Sequence, residues 1–315
     1  MMSDINLAEI QASLVAVAFE AGRMITGANM DVTKMDTKLN SVDIVTETDQ
    51  AVEKMVSTKL RAAYSSFDFI GEETYVPGTT KLTDRPTFVV DPIDGTTNFI
   101  HGFPHACISL GFVVNRVPSV GVVYNPFQDE MFTAVRGEGS FVQRNASLAA
   151  SGITLPDGAA AKRRLPLRTA DPKTAPPLGG LSTALIAVEW GSERDGNNFD
   201  LRARVFRDLM ASQKAGGRMA HSLRSLGSAA LNICAVAAGQ LDAYWEGGCY
   251  AWDVAAGWCI LAEAGGIMAS GNPGDWEPAI ESRKYLAVRG ATSGQKEFVE
   301  ELWSVIGDGV MHYTH

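Results

Sequence analysis

The stretch Phe88–Pro104, FVVDPIDGTTNFIHGFP, constrains this chain more than any other. Its apolar start, Phe88, Val89 and Val90, reads as a buried strand. Two carboxylates follow three residues apart, Asp91 and Asp94, around Pro92 and Ile93. Gly95, Thr96, Thr97 and Asn98 then make a turn of the kind that enters a helix. Two anions fixed together at a strand end repel, and both carboxyls rise in pKa unless a cation intervenes. Beside the N–H groups of a helix start, such a pair suits a hard, oxygen-seeking cation and a phosphate held side by side. Asp91 can bridge two ions, with the Ile93 carbonyl and Asp94 completing the set; the alternative is a strand-end turn with solvated aspartates. A calcium EF-hand does not fit, because D-x-x-D-G lacks the alternating ligands of that loop.

A partner for this site must meet a net charge of −9, from 27 Lys+Arg against 36 Asp+Glu. That balance argues against a nucleic-acid backbone or an anionic membrane. It leaves room for a small phosphorylated substrate, since bound divalent cations reverse the local field. With 315 residues, 46% of them hydrophobic and 20% charged, the chain is long enough for a sizeable globular core. Its four cysteines, Cys107, Cys234, Cys249 and Cys259, form no C-x-x-C pair and suit a reducing compartment. No secretory signal is visible, and no run reaches the roughly 18 apolar residues of a membrane span. The expected location is cytoplasmic.

Apolar residues recur at helical spacing from Leu7 to about Thr26. A polar segment carrying Lys38, Asp43 and Asp49 leads to a second helix with Val52, Val56 and Leu60 on one face, Thr48 and Asp49 standing at its expected N-cap. A short apolar run, Phe67–Ile70, ends in Gly71, Glu72 and Glu73. Between Ala106 and Val142, β-rich runs separated by turn clusters predict an antiparallel meander. Residues 145–180 read as a solvated surface seam, whose basic run Lys162, Arg163 and Arg164 has no interleaved aromatics to suggest nucleic-acid binding. Beyond it come the strand TALIAVEW, a helix near Asp200–Ser212, a buried helix from about Ser225, the strand LDAYWE, the buried helix AWDVAAGWCILAEAGG, the strand KYLAV and a last helix near Ser293–Ile306. The expectation is a single mixed α/β domain over residues 4–312, with halves 4–145 and 181–312 joined by the seam 146–180.

DPIDGTTNFIHGFP resembles the first signature of the inositol monophosphatase family, a group of Mg²⁺-dependent, lithium-sensitive phosphatases. WDVAAG, Trp252–Gly257, resembles its second signature. Gly71–Glu73 and the segment from Lys38 to Asp49 match earlier family elements in the right order, and the resemblance runs from about Leu7 to Ile306 apart from the seam. It implies an α+β fold, a layered α-β-α-β-α sandwich of the inositol monophosphatase and fructose-1,6-bisphosphatase type, and a homodimer. It also implies that Glu72, Asp91 and the Ile93 carbonyl bind one Mg²⁺, that Asp91, Asp94 and Asp253 bind a second, and that Glu72 helps hold a weaker third, with Li⁺ as inhibitor. By the same resemblance Asp49 and Thr96 orient the attacking water, Glu72 shares in catalysis, and Lys38 is a nearby positive charge. Substrate contacts would come from Asp94, Gly95, Thr96, Ser192, Gly227, Ser228, Ala229, Glu246 and Asp253.

Some residues carry plainer alternatives. Asp253, beside Trp252 at a helix start, can simply complement the helix dipole, and Glu246 can be a solvated residue of the EGG turn. Ser228 stands where related enzymes often carry threonine and keeps the hydroxyl. His101 and His105 read as structural, and Cys107, Cys234 and Cys259 as small core residues.

The expected function is a Mg²⁺-dependent phosphomonoesterase of inositol phosphate metabolism, hydrolysing myo-inositol monophosphate by in-line attack of a metal-activated water. Alternatives on the same fold are phosphatases of a sugar phosphate, histidinol phosphate or nucleotide bisphosphate, since fold and metals do not set the leaving group. The absence of a basic cluster for a second phosphate favours a small polyol monophosphate. A non-catalytic metabolite-binding relative would lack a metal ligand or the water-orienting pair, and here Glu72, Asp91, Asp94, Asp253, Thr96 and Asp49 are all present.

Overall fold

The computed structural model of the chain describes residues 5–28, 35–37, 44–153, 155 and 158–313. Helix α1 (Leu7–Gly27) is capped by Asn6, whose side chain accepts the Glu9 N–H at 3.2 Å. A short antiparallel pair, β1 (Met35–Thr37) and β2 (Ile44–Thr46), precedes α2 (Glu47–Ala63). Next come β3 (Asp68–Gly71), β4 (Thr87–Asp94), the short helix α3 (Thr96–Ile100), and then β5 (Cys107–Val114), β6 (Val117–Asn125), β7 (Glu130–Val135) and β8 (Gly139–Arg144). Helix α4 (Ala146–Ala150) and strand β9 (Arg163–Arg164) complete the first half. The second half runs β10 (Leu185–Val188), α5 (Gly196–Met210), β11 (Ser222–Arg224), α6 (Ala229–Ala237), β12 (Ala243–Gly247), α7 (Ala251–Glu263), β13 (Ile267–Ser270), β14 (Lys284–Val288) and α8 (Gln295–Ile306).

Strands β3 to β9 form a seven-stranded sheet in sequence order, antiparallel except for the β3–β4 pair. A second sheet has the order β11-β10-β12-β14-β13. Side chains alternate across each strand and therefore sort into separate cores. Phe88, Val90, Leu110 and Phe112 meet α1 and α2 on the outer face of the first sheet, whereas Val89 points the other way, toward α6 and α7. Ala187, Tyr244 and Ala287 of the second sheet face those same two helices, while Ile186, Val188 and Leu286 pack under α5 and α8. The result is the expected α+β arrangement of five layers, α-β-α-β-α.

The middle layer sets the site. An added Cβ at Gly111 would meet the Ala255 Cβ at 2.8 Å, and one at Gly121 would meet the Ala256 carbonyl oxygen at 2.3 Å. Helix α7 thus lies directly on the backbones of β5 and β6, which only small residues on both surfaces allow. Ser109 Oγ also donates to the Trp252 carbonyl at 3.0 Å, fixing the first turn of α7 beside the end of β4.

The structure departs from the sequence reading in several places. Helix α2 begins at Glu47, so Asp49 is not its cap but a first-turn residue, turned inward and 1% exposed. Strand β4 extends beyond the apolar run Phe88–Val90; it continues to Asp94 with a register shift between the two aspartates. Pro92 has no N–H for the ladder, so the strand bulges there rather than stops. The segment after Asn145 is more ordered than a solvated seam: it contributes α4 and the edge strand β9, and Leu165, Ala175 and Leu178 are buried. Its basic run does lie outside, with Lys162 over the Phe141 ring at 4.5 Å. Strands β11 and β13 are too short and mixed in composition to be read from pattern alone.

Candidate active site

Asp91, on the bulge of β4, accepts the Ile93 N–H at 2.9 Å and is 2% exposed. Asp94, at the end of the same strand, points at the start of α6. It accepts the Ala230 N–H at 2.8 Å, the Ala229 N–H at 3.3 Å and the Ser228 hydroxyl. Ser228 is also the N-cap of α6, its Oγ accepting the Leu231 N–H at 3.3 Å. Asp253 lies in the first turn of α7 and accepts the Tyr250 N–H at 2.6 Å. One oxygen from each of Asp91, Asp94 and Asp253 can be chosen so that all lie within 4.8 Å of one another.

Burial and mutual repulsion put these acids under strain as a protein alone. Burial, then the Glu72, Asp94 and Asp253 charges, hold the Asp91 carboxyl well above the carboxylate range. Asp253 is pushed up to about 8 by burial and by Asp94 and Glu72. Asp94 reaches only about 6, because burial is opposed by the bonds from Ser228, Ala230 and Ala229. An oxygen-only donor set of this density fits a hard divalent cation, whose charge removes the repulsion that raises these carboxyls.

Glu72, just beyond β3, is tied to β4 by its N–H, which donates to the Val90 carbonyl at 3.2 Å. The loop it belongs to rests on Glu53 of α2, whose Oε2 accepts the Glu73 N–H at 2.7 Å. Thr96 Oγ lies 3.4 Å from Asp49 Oδ1 and donates to the Ile93 carbonyl at 3.0 Å. The pair expected to orient water is therefore together, beside the carbonyl expected to be a ligand. That carbonyl keeps a second lone pair for a cation. Lys38 and Asp43 lie outside the described residues.

A cleft of about 570 Å³ opens over the cluster. Glu72, Asp94, Ser192, Gly227, Ser228, Ala229, Glu246 and Asp253 all line it, whereas Asp91 and Ile93 are buried behind, and Gly95 and Thr96 belong to the adjoining turn. Glu246 is not a solvated turn residue. It is the next-to-last residue of β12, receives the Tyr244 hydroxyl, and is pushed up to about 8 by burial and the Glu189 charge. Asp253 combines its two readings: it holds the helix start and joins the acid cluster. His101 is exposed, and His105 serves through its carbonyl, which accepts Asn98 Nδ2 at 2.7 Å.

Sequence reading missed Glu53 and Glu189. Glu53 shares the buried face of α2 with Val56 and Leu60, and a charge on an apolar face was the available signal. Glu189, at the end of the run TALIAVEW, gathers the Leu226 N–H at 2.6 Å, the Gly227 N–H at 2.9 Å and Asn232 Nδ2 at 2.9 Å. It thereby shapes the backbone of Gly227 from below. No pattern marked it, because its partners lie far along the chain.

The model of the inositol monophosphatase family matches residues 6–307. The chain is 48% identical over 273 residues to inositol monophosphatase 2 of Saccharomyces cerevisiae, covering 85% of this chain and 84% of that one. It is 34% identical to inositol monophosphatase 1 of Bos taurus, with 90% of each covered. Among solved structures, the extragenic suppressor protein suhB of Bartonella henselae superposes with a TM-score of 0.72 at 26% identity, covering 96% of this chain and all of that one. The inositol monophosphatase of Anabaena superposes with a TM-score of 0.65 at 25% identity, covering 96% of both.

Proposed function

The chain belongs to the inositol monophosphatase family, and from that premise we propose that it hydrolyses myo-inositol monophosphate to inositol and phosphate with the help of Mg²⁺. The observation that carries the reading is the meeting of three carboxylates from two distant segments, Asp94 on β4 and Asp253 on α7 lining one cleft with Asp91 of β4 buried directly behind them.

Asp91, Asp94 and Asp253 would hold one cation, and Glu72, Asp91 and the Ile93 carbonyl another, with Glu72 serving a weaker third. When bound, the cations acidify a water and neutralise the phosphoryl and leaving oxygens. The chain's own groups do the rest. Thr96 Oγ, with its proton committed to the Ile93 carbonyl, keeps a lone pair that accepts one O–H of the attacking water, and Asp49 accepts the other. That fixes a water lone pair in line with the phosphorus–oxygen bond that breaks. Gly95 and Thr96 offer backbone N–H groups to the phosphoryl oxygens. Asp94 and Ser228 hold the start of α6, so that Gly227 and Ala229 flank the substrate; Glu246 and Ser192 meet ring hydroxyls. Li⁺ is expected to inhibit by entering a cation position.

A homodimer completes the reading. A groove of about 500 Å³ beside α5, lined by Phe199, Phe206, Met210 and Trp190, leaves Trp190 61% exposed, an apolar surface suited to a second copy of the chain. The four cysteines are buried and free, in keeping with a cytoplasmic protein. Among the described residues no helix is long and apolar enough to cross a membrane. The test is phosphate release across a panel of inositol, sugar, histidinol and nucleotide phosphates. The highest kcat/KM is expected on inositol monophosphate, and preference for a bisphosphate would contradict the assignment.

A further inference from the structure

The substrate-facing end of β12 is backed by the segment that follows α8, and nothing in the reaction explains why. The segment 310–313 runs behind Glu246, Gly247 and Gly248 and is held by three asparagines. Asn197 Nδ2 donates to the Val310 carbonyl at 2.7 Å. Asn198 both donates to the His312 carbonyl at 2.8 Å and accepts its N–H at 2.9 Å. Asn272 does the same for Met311, at 3.0 and 2.9 Å. Met311 is only 1% exposed. An added Cβ at Gly247 would meet Met311 Sδ at 2.5 Å and the Tyr313 ring at 2.9 Å, so the tail lies in direct contact with the strand end.

Tyr313 links this tail to the cleft in two ways. Its hydroxyl accepts Arg202 Nη1 at 2.7 Å, and the same guanidinium nitrogen reaches the Gly247 carbonyl at 3.1 Å. Arg202 is 2% exposed and paired with Glu193, so it is a fixed anchor. The Tyr313 ring also lies 4.9 Å from the guanidinium carbon of Arg283, which sits 3.8 Å over the Tyr250 ring on its other contact. Arg283 in turn donates to the Gly248 carbonyl at 2.8 Å, and Tyr250 stacks on Trp252 with ring centroids 4.4 Å apart. Glu246, Gly248, Tyr250 and Arg283 line the cleft; Tyr313 does not.

We infer that Tyr313 is a positioning residue for substrate selectivity: through Arg202 and Arg283 it holds the Glu246–Gly248 turn in the register that receives the ring hydroxyls of a polyol phosphate. The inference rests on the proposed function and adds a residue that touches neither substrate nor carboxylate cluster. Because the tail touches the Gly247–Gly248 wall directly and reaches Asp253 only at one remove, through the Arg283–Tyr250 stack, its loss acts chiefly on binding of the polyol and far less on the phosphoryl chemistry.

The test compares Tyr313→Ala and Tyr313→Phe on myo-inositol monophosphate and on 4-nitrophenyl phosphate, which has no ring hydroxyls to place. Tyr313→Ala should raise KM for the inositol ester about tenfold, the scale of one lost hydrogen-bonded contact, with kcat changed by less than about twofold. KM for 4-nitrophenyl phosphate should not move. Tyr313→Phe keeps the ring against Arg283 and should recover part of the loss. Should Tyr313→Ala fold poorly, Asn272→Ala, which frees the tail from the other side, should give the same split. Equal rises for both substrates, or no rise for either, would overturn the inference. Wild-type protein inactive on inositol monophosphate would instead overturn the function on which it rests.

Discussion

On one side of the cleft, Asp91 and Asp94 stand at the end of β4 and Asp253 at the start of α7, a helix that lies directly on the backbones of the neighbouring strands β5 and β6. On the other, Glu246, Tyr250 and Arg283 stand on a strand end and loops braced by aromatic rings and by the segment after α8. The first wall concentrates negative charge at the cleft, where the proposed function puts the reacting phosphoryl group, and it depends on small residues that let α7 settle on β5 and β6. The second presents one carboxyl and an aromatic surface to whatever carries the phosphate. On the proposed reading chemistry and selectivity rest on different structural devices, joined where the Tyr250 N–H meets Asp253, and substitutions should divide accordingly: kcat from the first wall, KM and substrate preference from the second.

The largest effect expected is on the acid wall. Asp94→Asn keeps the shape but removes a charge and weakens the hold on α6, and should lower kcat by at least ~100-fold. A near-normal kcat in steady-state assays would break the division at its root. Gly121→Ala tests the packing beneath it. The added methyl has no room under Ala256 and should cost about 1–3 kcal/mol in denaturant unfolding, with kcat falling because Asp253 moves with its helix. A variant as stable and active as the wild type would mean that α7 is not held by that contact. On the opposite wall, Glu246→Gln should raise KM for the polyol ester about tenfold while kcat on 4-nitrophenyl phosphate stays within about twofold.

The smallest effect is on stability against pH. With no cation bound, burial and neighbouring charge raise Asp253 to about 8 and Asp94 to about 6, both above the unfolded carboxyl. The folded state therefore binds more protons than the unfolded chain, and stability falls as pH rises through that window. Thermal melts of chelated protein should show Tm dropping by at least about 4 °C between about pH 5 and about pH 8, and Mg²⁺ should recover most of it at the higher pH. A Tm that rises over that range would show the acids are not crowded together.

The two walls also differ in how far the sequence disclosed them. Asp91 and Asp94 sit in one compact segment and Asp253 in another, so the residue types and the family resemblance pointed to them directly. Helix α7 and the meander were legible because their apolar periodicities are long and clean. The β4 bulge was not, since an apolar run before Pro92 reads equally well as a strand that stops. Glu189 and Tyr313 act through partners far along the chain, Gly227 for one and Arg202 and Arg283 for the other. Single residues with distant partners leave no local pattern. The buried residues of the segment after Asn145 were hidden for a similar reason: Leu165 and Leu178 stand among Pro, Ala, Gly and Arg with no apolar period around them, and only the fold reveals their burial.

On the proposed function the carboxylates of β4 and α7 form one cation-dependent catalytic centre. The most direct measurement is phosphate release from myo-inositol monophosphate by chelator-stripped protein, before and after Mg²⁺ is returned. Turnover should vanish on stripping and return with Mg²⁺ in the wild type, but not in Asp253→Asn at the same Mg²⁺ concentration. Stripped protein that still turns over, or an Asp253→Asn variant restored as fully as the wild type, would contradict it.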